Sequence, residues 1–165
     1  MTSTSSVEFN GQVVVISGAA TGIGKASAQL IAARGATVIA LDFNAAALSD
    51  LAKELNLAAN QIHTCDISDQ SQIDKAISDI LKDHGQIDAL INTAGIVGPS
   101  NTILEDVKWT DFEKVLQVNL YGAIWLTQAV IPAMKEMKYG RIVHLASIAG
   151  KEGNPGLSPY NTSKA

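Results

Sequence analysis

Cysteine is nearly missing: Cys65 is the one thiol in 165 residues, which excludes an intramolecular disulfide and a cysteine-based zinc site and fits a reducing compartment. Charge is also scarce, at 17% against roughly 25% in an ordinary soluble domain. Twelve Lys and Arg against sixteen Asp and Glu leave a net −4. No basic cluster stands out, so neither a nucleic-acid backbone nor an anionic membrane surface is an expected partner. Nowhere do about 18 apolar residues run together, as a membrane-spanning helix requires. The start, MTSTSSVEFNG, has neither an apolar stretch for secretion nor an arginine for a mitochondrial address, and a cytoplasmic location is expected. Hydrophobic residues, by contrast, make up 47% of the chain, which rules out disorder. A chain of this length buries roughly 68–70% of its surface, enough to fold without disulfides or a structural metal.

Short apolar runs alternate with segments of helical period, and no Pro/Ser linker or low-complexity tract divides them. A single domain over 1–165 is therefore expected. The first run, Val13-Val14-Val15-Ile16, is apolar at consecutive positions, as in a parallel strand covered on both faces, where alternation is lost. Similar strands are predicted at 37–41, 62–65, 87–91 and 141–146, with helices at 25–34, 45–55, 70–81 and 110–137. Five strands with helical crossovers imply an α/β fold, a doubly wound parallel sheet of Rossmann type. In the longest helix Thr110 and Glu113 have the spacing of a capping box. Phe112, Val115, Leu116, Leu120, Ala123 and Ile124 form its apolar stripe. Asn119 falls on that stripe, where an unsatisfied amide costs about 1–3 kcal/mol; it either pins a loop or has a functional role. Pro132 is expected to kink the helix near its end.

After the first strand comes Ser17-Gly18-Ala19-Ala20-Thr21-Gly22-Ile23-Gly24. Three glycines where strand becomes helix let backbone N–H groups approach a diphosphate, and the helix N-terminus adds roughly half a positive charge. A P-loop would need glycine at Ala19 and Ser or Thr at Ala26, and the common dinucleotide spacing would need glycine at Ser27. Both patterns fail, leaving glycine at 18, 22 and 24. Asp42 ends the second strand, eighteen residues after Gly24, where a carboxylate accepts hydrogen bonds from both hydroxyls of an adenosine ribose. It would repel a 2′-phosphate, and no Arg or Lys stands at Ala20, Thr21 or Phe43, so NAD is favoured over NADP. The alternative is a carboxylate that serves the helix start near Asn44.

With Gly18, Gly22 and Gly24 in place, the chain resembles the short-chain dehydrogenase/reductase family, in its branch with one Rossmann domain. Asp66 follows the third strand, Asn92-Thr93-Ala94-Gly95 the fourth and Ser147 the fifth; Asn119 lies in the long helix and Tyr160-Asn161-Thr162-Ser163-Lys164 closes the pattern. The family usually has threonine at Ser17 and a second asparagine at Thr93, and both replacements keep a hydroxyl for hydrogen bonding. The resemblance implies that Gly18, Thr21, Gly22, Ile23 and Gly24 hold the diphosphate of NAD. It places Asp66 and Ile67 beside the adenine, and Asn92, Ala94 and Gly95 along the cofactor. Asp66 can equally cap the next helix.

The implied activity is NAD(H)-dependent transfer of a hydride between nicotinamide and a secondary alcohol or ketone, with Tyr160 as general acid/base. A free phenol titrates near about 10, and lowering that by about three units takes roughly 4 kcal/mol of differential stabilisation. Lys164, four residues on and on the same helical face, supplies a fixed cation and reaches the nicotinamide ribose. By the same resemblance Ser147 bonds the substrate oxygen, and Asn119 holds a water that relays protons from Lys164. Read without the resemblance, Ser147, Tyr160 and Lys164 are ordinary loop and helix-start residues.

The chain looks most like reductases of 3-oxoacyl carriers and dehydrogenases of sugars or sugar acids. The segments 95–100 and 149–157 read as one wall of a substrate pocket. Family members assemble as homo-oligomers through the long helix. His63, His84 and His144 lack close pairing in sequence, so no metal is inferred, and Trp109, Trp125 and Tyr121 read as packing residues. The family sheet has seven strands against five here. The expectation is therefore a domain incomplete at its C-terminus, an exposed edge at the fifth strand, and little turnover by residues 1–165 alone. The competing class is a non-catalytic dinucleotide-binding fragment or pseudoenzyme.

Overall fold

The computed structural model describes residues 8–165; residues 1–7, most of the MTSTSSVEFNG segment, lie outside the described residues. Its core is a five-stranded, all-parallel sheet of β1 (Val13–Ser17), β2 (Thr37–Asp42), β3 (Ile62–Thr64), β4 (Ala89–Asn92) and β5 (Arg141–His144), in the order β3-β2-β1-β4-β5. Every residue of β1 is buried. Successive side chains alternate between two apolar layers, and this explains the unbroken run of valines. Val13 and Val15 join one layer with Ile73, Ile77 and Ile80 of α3 (Gln70–His84) and Leu126 and Val130 of α5 (Gly122–Glu136). Val14 and Ile16 join the other with Ala28 of α1 (Gly22–Ala33) and Leu48 and Leu51 of α2 (Ala45–Leu55). The sheet is thus covered on both faces, and the strand order reverses between β1 and β4.

The register brings the carboxyl ends of the strands level. Ser17 pairs with Leu41 on one side and with Asn92 on the other, and Asn92 pairs with His144. β4 begins two residues later than the predicted start at Ile87; just before it the Asp88 backbone bonds Val13 and Arg141, and its Oδ2 accepts from the Val13 N–H at 2.7 Å. Helix α2 matches its predicted span, capped by the Asn44 side chain, which accepts from the Ala47 N–H. α3 runs three residues past its predicted end, to His84, and stops at Gly85 in the left-handed conformation that glycine tolerates.

The long helix departs most from the sequence reading. It opens at Trp109 as α4 (Trp109–Leu116), with Lys108 as N-cap and no side-chain cap bond, so the Thr110/Glu113 capping box does not form. One π turn, Gln117–Tyr121, then separates α4 from α5. The buried stripe is Val115, Val118, Gly122, Leu126, Val130 and Met134, whereas Leu120 and Ile124 of the expected stripe are exposed. An α5 that is apolar on more than one face leaves periodicity unable to choose between them. α5 continues through Pro132 to Glu136, and the π turn adds a second irregularity to the ladder beside the N–H that the proline lacks. Trp125 packs on the core, but Trp109 is 67% exposed and stacks on Phe112 at 5.6 Å. Among the described residues β5 is bonded to β4 alone, and Val143 is half uncovered.

Candidate functional site

A cavity of about 340 Å³ opens at the carboxyl ends of β1, β2 and β4, where the strand order reverses, the ordinary place for a ligand in an open α/β sheet. One wall is the glycine turn. Gly18 has φ +67°, and a Cβ there would stand 2.8 Å from the Ala94 backbone, so only glycine lets β1 and β4 close up here. Gly22, at φ +52°, borders the cavity, and a Cβ on it would meet no protein atom within 4 Å. The space beside it is open to the cavity. No side chain caps the start of α1, and its first turn holds no acidic residue. Its free N–H groups therefore suit an anion such as a diphosphate.

The opposite wall begins at Asp42, buried at 7% exposure. Its Oδ2 accepts from the Ala20 N–H at 2.9 Å and its Oδ1 from the Asn44 N–H at 3.0 Å. One carboxylate thus fixes the glycine turn, prepares α2 and faces the cavity, while the cap of α2 itself is Asn44. Asp66 also lines the cavity, and its Oδ1 accepts from the Ser68 N–H and hydroxyl. Burial opposes ionisation of Asp66, but these bonds and the Lys114 ammonium outweigh it and hold the carboxyl below its ordinary value. It does not cap the next helix: Asp69 does, accepting from Ser71 and Gln72.

Of the cofactor residues read from sequence, Gly18, Thr21, Gly22, Ile23, Gly24, Asp42, Asp66, Ile67, Ala94 and Gly95 line this cavity. Asn92 lies beneath it, with its Oδ1 accepting from the Ser17 hydroxyl. Thr93 keeps a hydroxyl role by donating to the Ser17 carbonyl at 2.7 Å. Sequence reasoning missed Phe43, Cys65, Lys114 and Val118 as wall residues, whereas Ile96 falls in the segment 95–100 read as a pocket wall. Phe43, directly after Asp42, is 74% exposed, a setting that the sequence alone does not announce. Lys114 comes from α4, and no local pattern announces that it reaches Ser68 Oγ at 2.7 Å. Burial pushes the Cys65 thiol up to about 11, aided by Asp66 and Asp69, so it is an inert wall group.

The second half of the site gathers at Gly95. A Cβ there would lie 3.2 Å from Asn119 Oδ1 and 3.8 Å from Lys164 Nζ, so both side chains converge on this glycine. Asn119, in the π turn, accepts from the Ile96 N–H and donates to the Ile96 carbonyl, each at 2.8 Å, and donates to Ser163 Oγ at 2.9 Å. Its amide pins the loop after β4 to α7 (Ser158–Lys164). Lys164 Nζ donates to the Leu145 carbonyl at 2.8 Å, and burial lowers its pKa from the ordinary lysine value. Ser147 Oγ accepts from the Ala149 N–H at the start of α6 (Ala149–Glu152), which packs on α7 through Gly150 against the Lys164 carbonyl. Tyr160 is half buried on α7. The loops 95–102 and 153–157 meet, with the Thr102 N–H donating to the Gly156 carbonyl at 3.2 Å. Among the described residues no cluster of three or more His, Cys, Asp or Glu is arranged to hold a metal, and no helix is long and apolar enough to cross a membrane.

The profile of the short chain dehydrogenases matches residues 12–165. The chain belongs to this family. It is 38% identical over 161 residues to the 3-oxoacyl-[acyl-carrier-protein] reductase of Thermotoga maritima, covering 96% of this chain and 65% of that protein. It is also 38% identical over 157 residues to the 2-dehydro-3-deoxy-L-rhamnonate dehydrogenase (NAD(+)) of a Sphingomonas species, covering 95% and 62%. A crystal structure of NAD+-bound xylitol dehydrogenase superposes with a TM-score of 0.88 at 33% identity, covering 95% of this chain and 61% of that one. The chain therefore spans a little under two thirds of the length of these relatives. These relatives are, by their names, a reductase and two dehydrogenases.

Proposed function

We propose that this short-chain dehydrogenase acts with NAD(H) in preference to NADP(H) on a secondary alcohol or ketone. The observation that carries the reading is the cavity at the strand reversal. There an uncapped helix N-terminus, a gap beside Gly22 and the Asp42 carboxylate stand in the order of a diphosphate followed by a ribose. Asp42 supports NAD because its charge faces the cavity wall and would repel a 2′-phosphate. Lys114, the cation on that wall, is already engaged by Asp66 and Ser68. Bound there, nicotinamide supplies the two-electron exchange at the carbinol carbon.

The chain's own groups do the rest in this reading. Tyr160 takes the proton from the alcohol oxygen, or returns it to the ketone oxygen. Ser147 donates a hydrogen bond to that oxygen as its charge changes. Lys164, held by the Leu145 carbonyl, sets its ammonium beside Gly95 at the nicotinamide end of the site. Asn119 keeps the Ile96 loop and Ser163 in register beside Lys164.

A second reading, dinucleotide binding without turnover by residues 1–165, is supported by one observation. The cavity walls run from Gly18 to Val118 and include none of Ser147, Tyr160 or Lys164. Titration of the protein with NADH and NADPH, followed by cofactor fluorescence, tests the binding claim shared by both. NADH is expected to bind the tighter, and Asp42→Ala to weaken NADH about tenfold, the equivalent of a charged hydrogen bond, while narrowing the gap to NADPH. Equal affinities in the parent protein would remove Asp42 from the selecting role. Oxidation of secondary alcohols with NAD+, compared with a Tyr160→Phe variant, separates the two readings.

A further inference from the structure

His144 ends β5 and was not assigned a role by its sequence neighbours. Its two ring nitrogens each meet a partner from a different element. Nδ1 lies 3.2 Å from Asn92 Nδ2 on β4, and Nε2 lies 2.9 Å from Thr127 Oγ1 on α5. The donors and acceptors along this chain can be counted. The Ser17 hydroxyl donates to Asn92 Oδ1, which turns the Asn92 NH₂ toward His144. An NH₂ group only donates, so His144 Nδ1 must accept and carries no proton. The Thr127 hydroxyl gives its single proton to the Ala123 carbonyl at 2.7 Å. Its oxygen therefore accepts from His144, and the ring proton sits on Nε2. Only the neutral Nε2–H form satisfies every member of the chain.

The next residue links this chain to the site. The Leu145 N–H donates to the Asn92 carbonyl at 3.2 Å, and the Leu145 carbonyl accepts from Lys164 Nζ at 2.8 Å. Ser17 opens the glycine turn, and Asn92 leads into Thr93-Ala94-Gly95. Asn92 thus joins the two: its side chain links Ser17 to the His144 ring, and its carbonyl holds the next residue, Leu145, whose own carbonyl holds Lys164. We infer that His144 is a positioning residue: as a neutral imidazole it locks β4, β5 and α5 together and sets the height of the Leu145 carbonyl that holds Lys164. This rests on the proposed dinucleotide site.

Protonation would place a second N–H on Nδ1, opposing the Asn92 NH₂ donor for donor. It would also set a cation near Lys164, the charged group acting on His144 from α7. The groups that β4 and α5 bring to the ring, Asn92 and Thr127, are uncharged. Desolvation and then the Lys164 charge lower the pKa of His144 from its ordinary value, in keeping with the neutral form. The lock is closed at neutral pH and opens in acid.

Two measurements test this. In the first, long-range nitrogen–proton NMR of the imidazoles reads the tautomer directly. The Nε2–H form, titrating below an ordinary histidine, is expected; the Nδ1–H form, or an ordinary titration, overturns the inference whether or not a cofactor binds. In the second, NADH affinity is followed from neutral pH to mild acid in the parent protein and in His144→Phe. The parent is expected to lose about tenfold, one pKa unit of coupling between proton and ligand. H144F is expected to be weaker at neutral pH and to lack that acid limb. A parent profile without the limb, or the same limb in H144F, overturns the inference. Absence of NADH binding at every pH would instead sink the dinucleotide site and leave the tautomer measurement standing as the test of His144. If H144F does not fold, the NMR measurement and the parent profile still decide.

Discussion

At the scale of single residues, the site depends on side chains that do two things at once. Asp42 ties Ala20 and Asn44 while facing the cavity, so replacing it disturbs the glycine turn as well as the ribose subsite. Gly18 is the cleaner test of geometry. A Gly18→Ala variant must bear a positive φ and a Cβ 2.8 Å from Ala94, and should lose about 1–3 kcal/mol of stability. Calorimetry should register this as a melting point lower by roughly 2–4 °C per kcal/mol. Lys164 runs the other way. Its ammonium is partly desolvated and its pKa lowered, so the fold bears a cost to keep the charge there at neutral pH. Lys164→Met is therefore expected to be at least as heat-stable as the parent at pH 7 while binding NADH more weakly. A lower melting point would show that the Leu145 bond outweighs the desolvation.

At the scale of elements, the sequence was most legible where local pattern and tertiary setting agree. Val13 to Ile16 are all apolar because the strand is covered twice, and the run alone says so. The span of α2 is legible because Asn44 caps it and Leu48 and Leu51 recur on one face. The π turn was not legible. It places Asn119 on Ile96 and Ser163, partners 23 and 44 residues away, and no local spacing encodes them. For the same reason Thr110 and Glu113 fail as a capping box: the chain enters α4 one residue earlier, at Trp109. Lys114 and Phe43 were missed as wall residues because their roles depend on which elements face the cavity. Asn119→Ala leaves the Ile96 N–H and carbonyl without their partners. It should cost about 1–3 kcal/mol in chemical denaturation, less than the roughly 2–5 kcal/mol expected for Leu126→Ala in the sealed core. A neutral Asn119→Ala would mean that the Ile96 loop needs no pin.

At the scale of the whole molecule, proton balance and the exposed edge govern behaviour. His63 and His144 have pKa values lowered from 6.5, both chiefly by burial. For a lowered histidine the stabilising contribution is complete above the unfolded value and is lost as pH falls through the folded one. Asp66, lowered from 3.8, loses its contribution the same way at more acid pH. The melting temperature should therefore be level between about pH 7 and 8, fall first below about 6.5, and fall again below about 4. A curve that rises on mild acidification would contradict these assignments. The edge strand β5 carries a half-exposed Val143 with unpaired backbone beside it. Val143→Lys is expected to suppress concentration-dependent light scattering without changing NADH affinity.

The central claim is that one dinucleotide lies across the strand reversal, from the glycine turn toward Lys164. The most direct test is amide chemical-shift mapping of the protein on titration with NAD+. The account predicts saturable shifts confined to the amides of Gly18 to Gly24, Asp42 and Phe43, Asp66 and Ile67, and Ala94 to Ile96, with smaller ones on α7. No saturable shifts, or shifts centred away from the carboxyl ends of β1, β2 and β4, would contradict it.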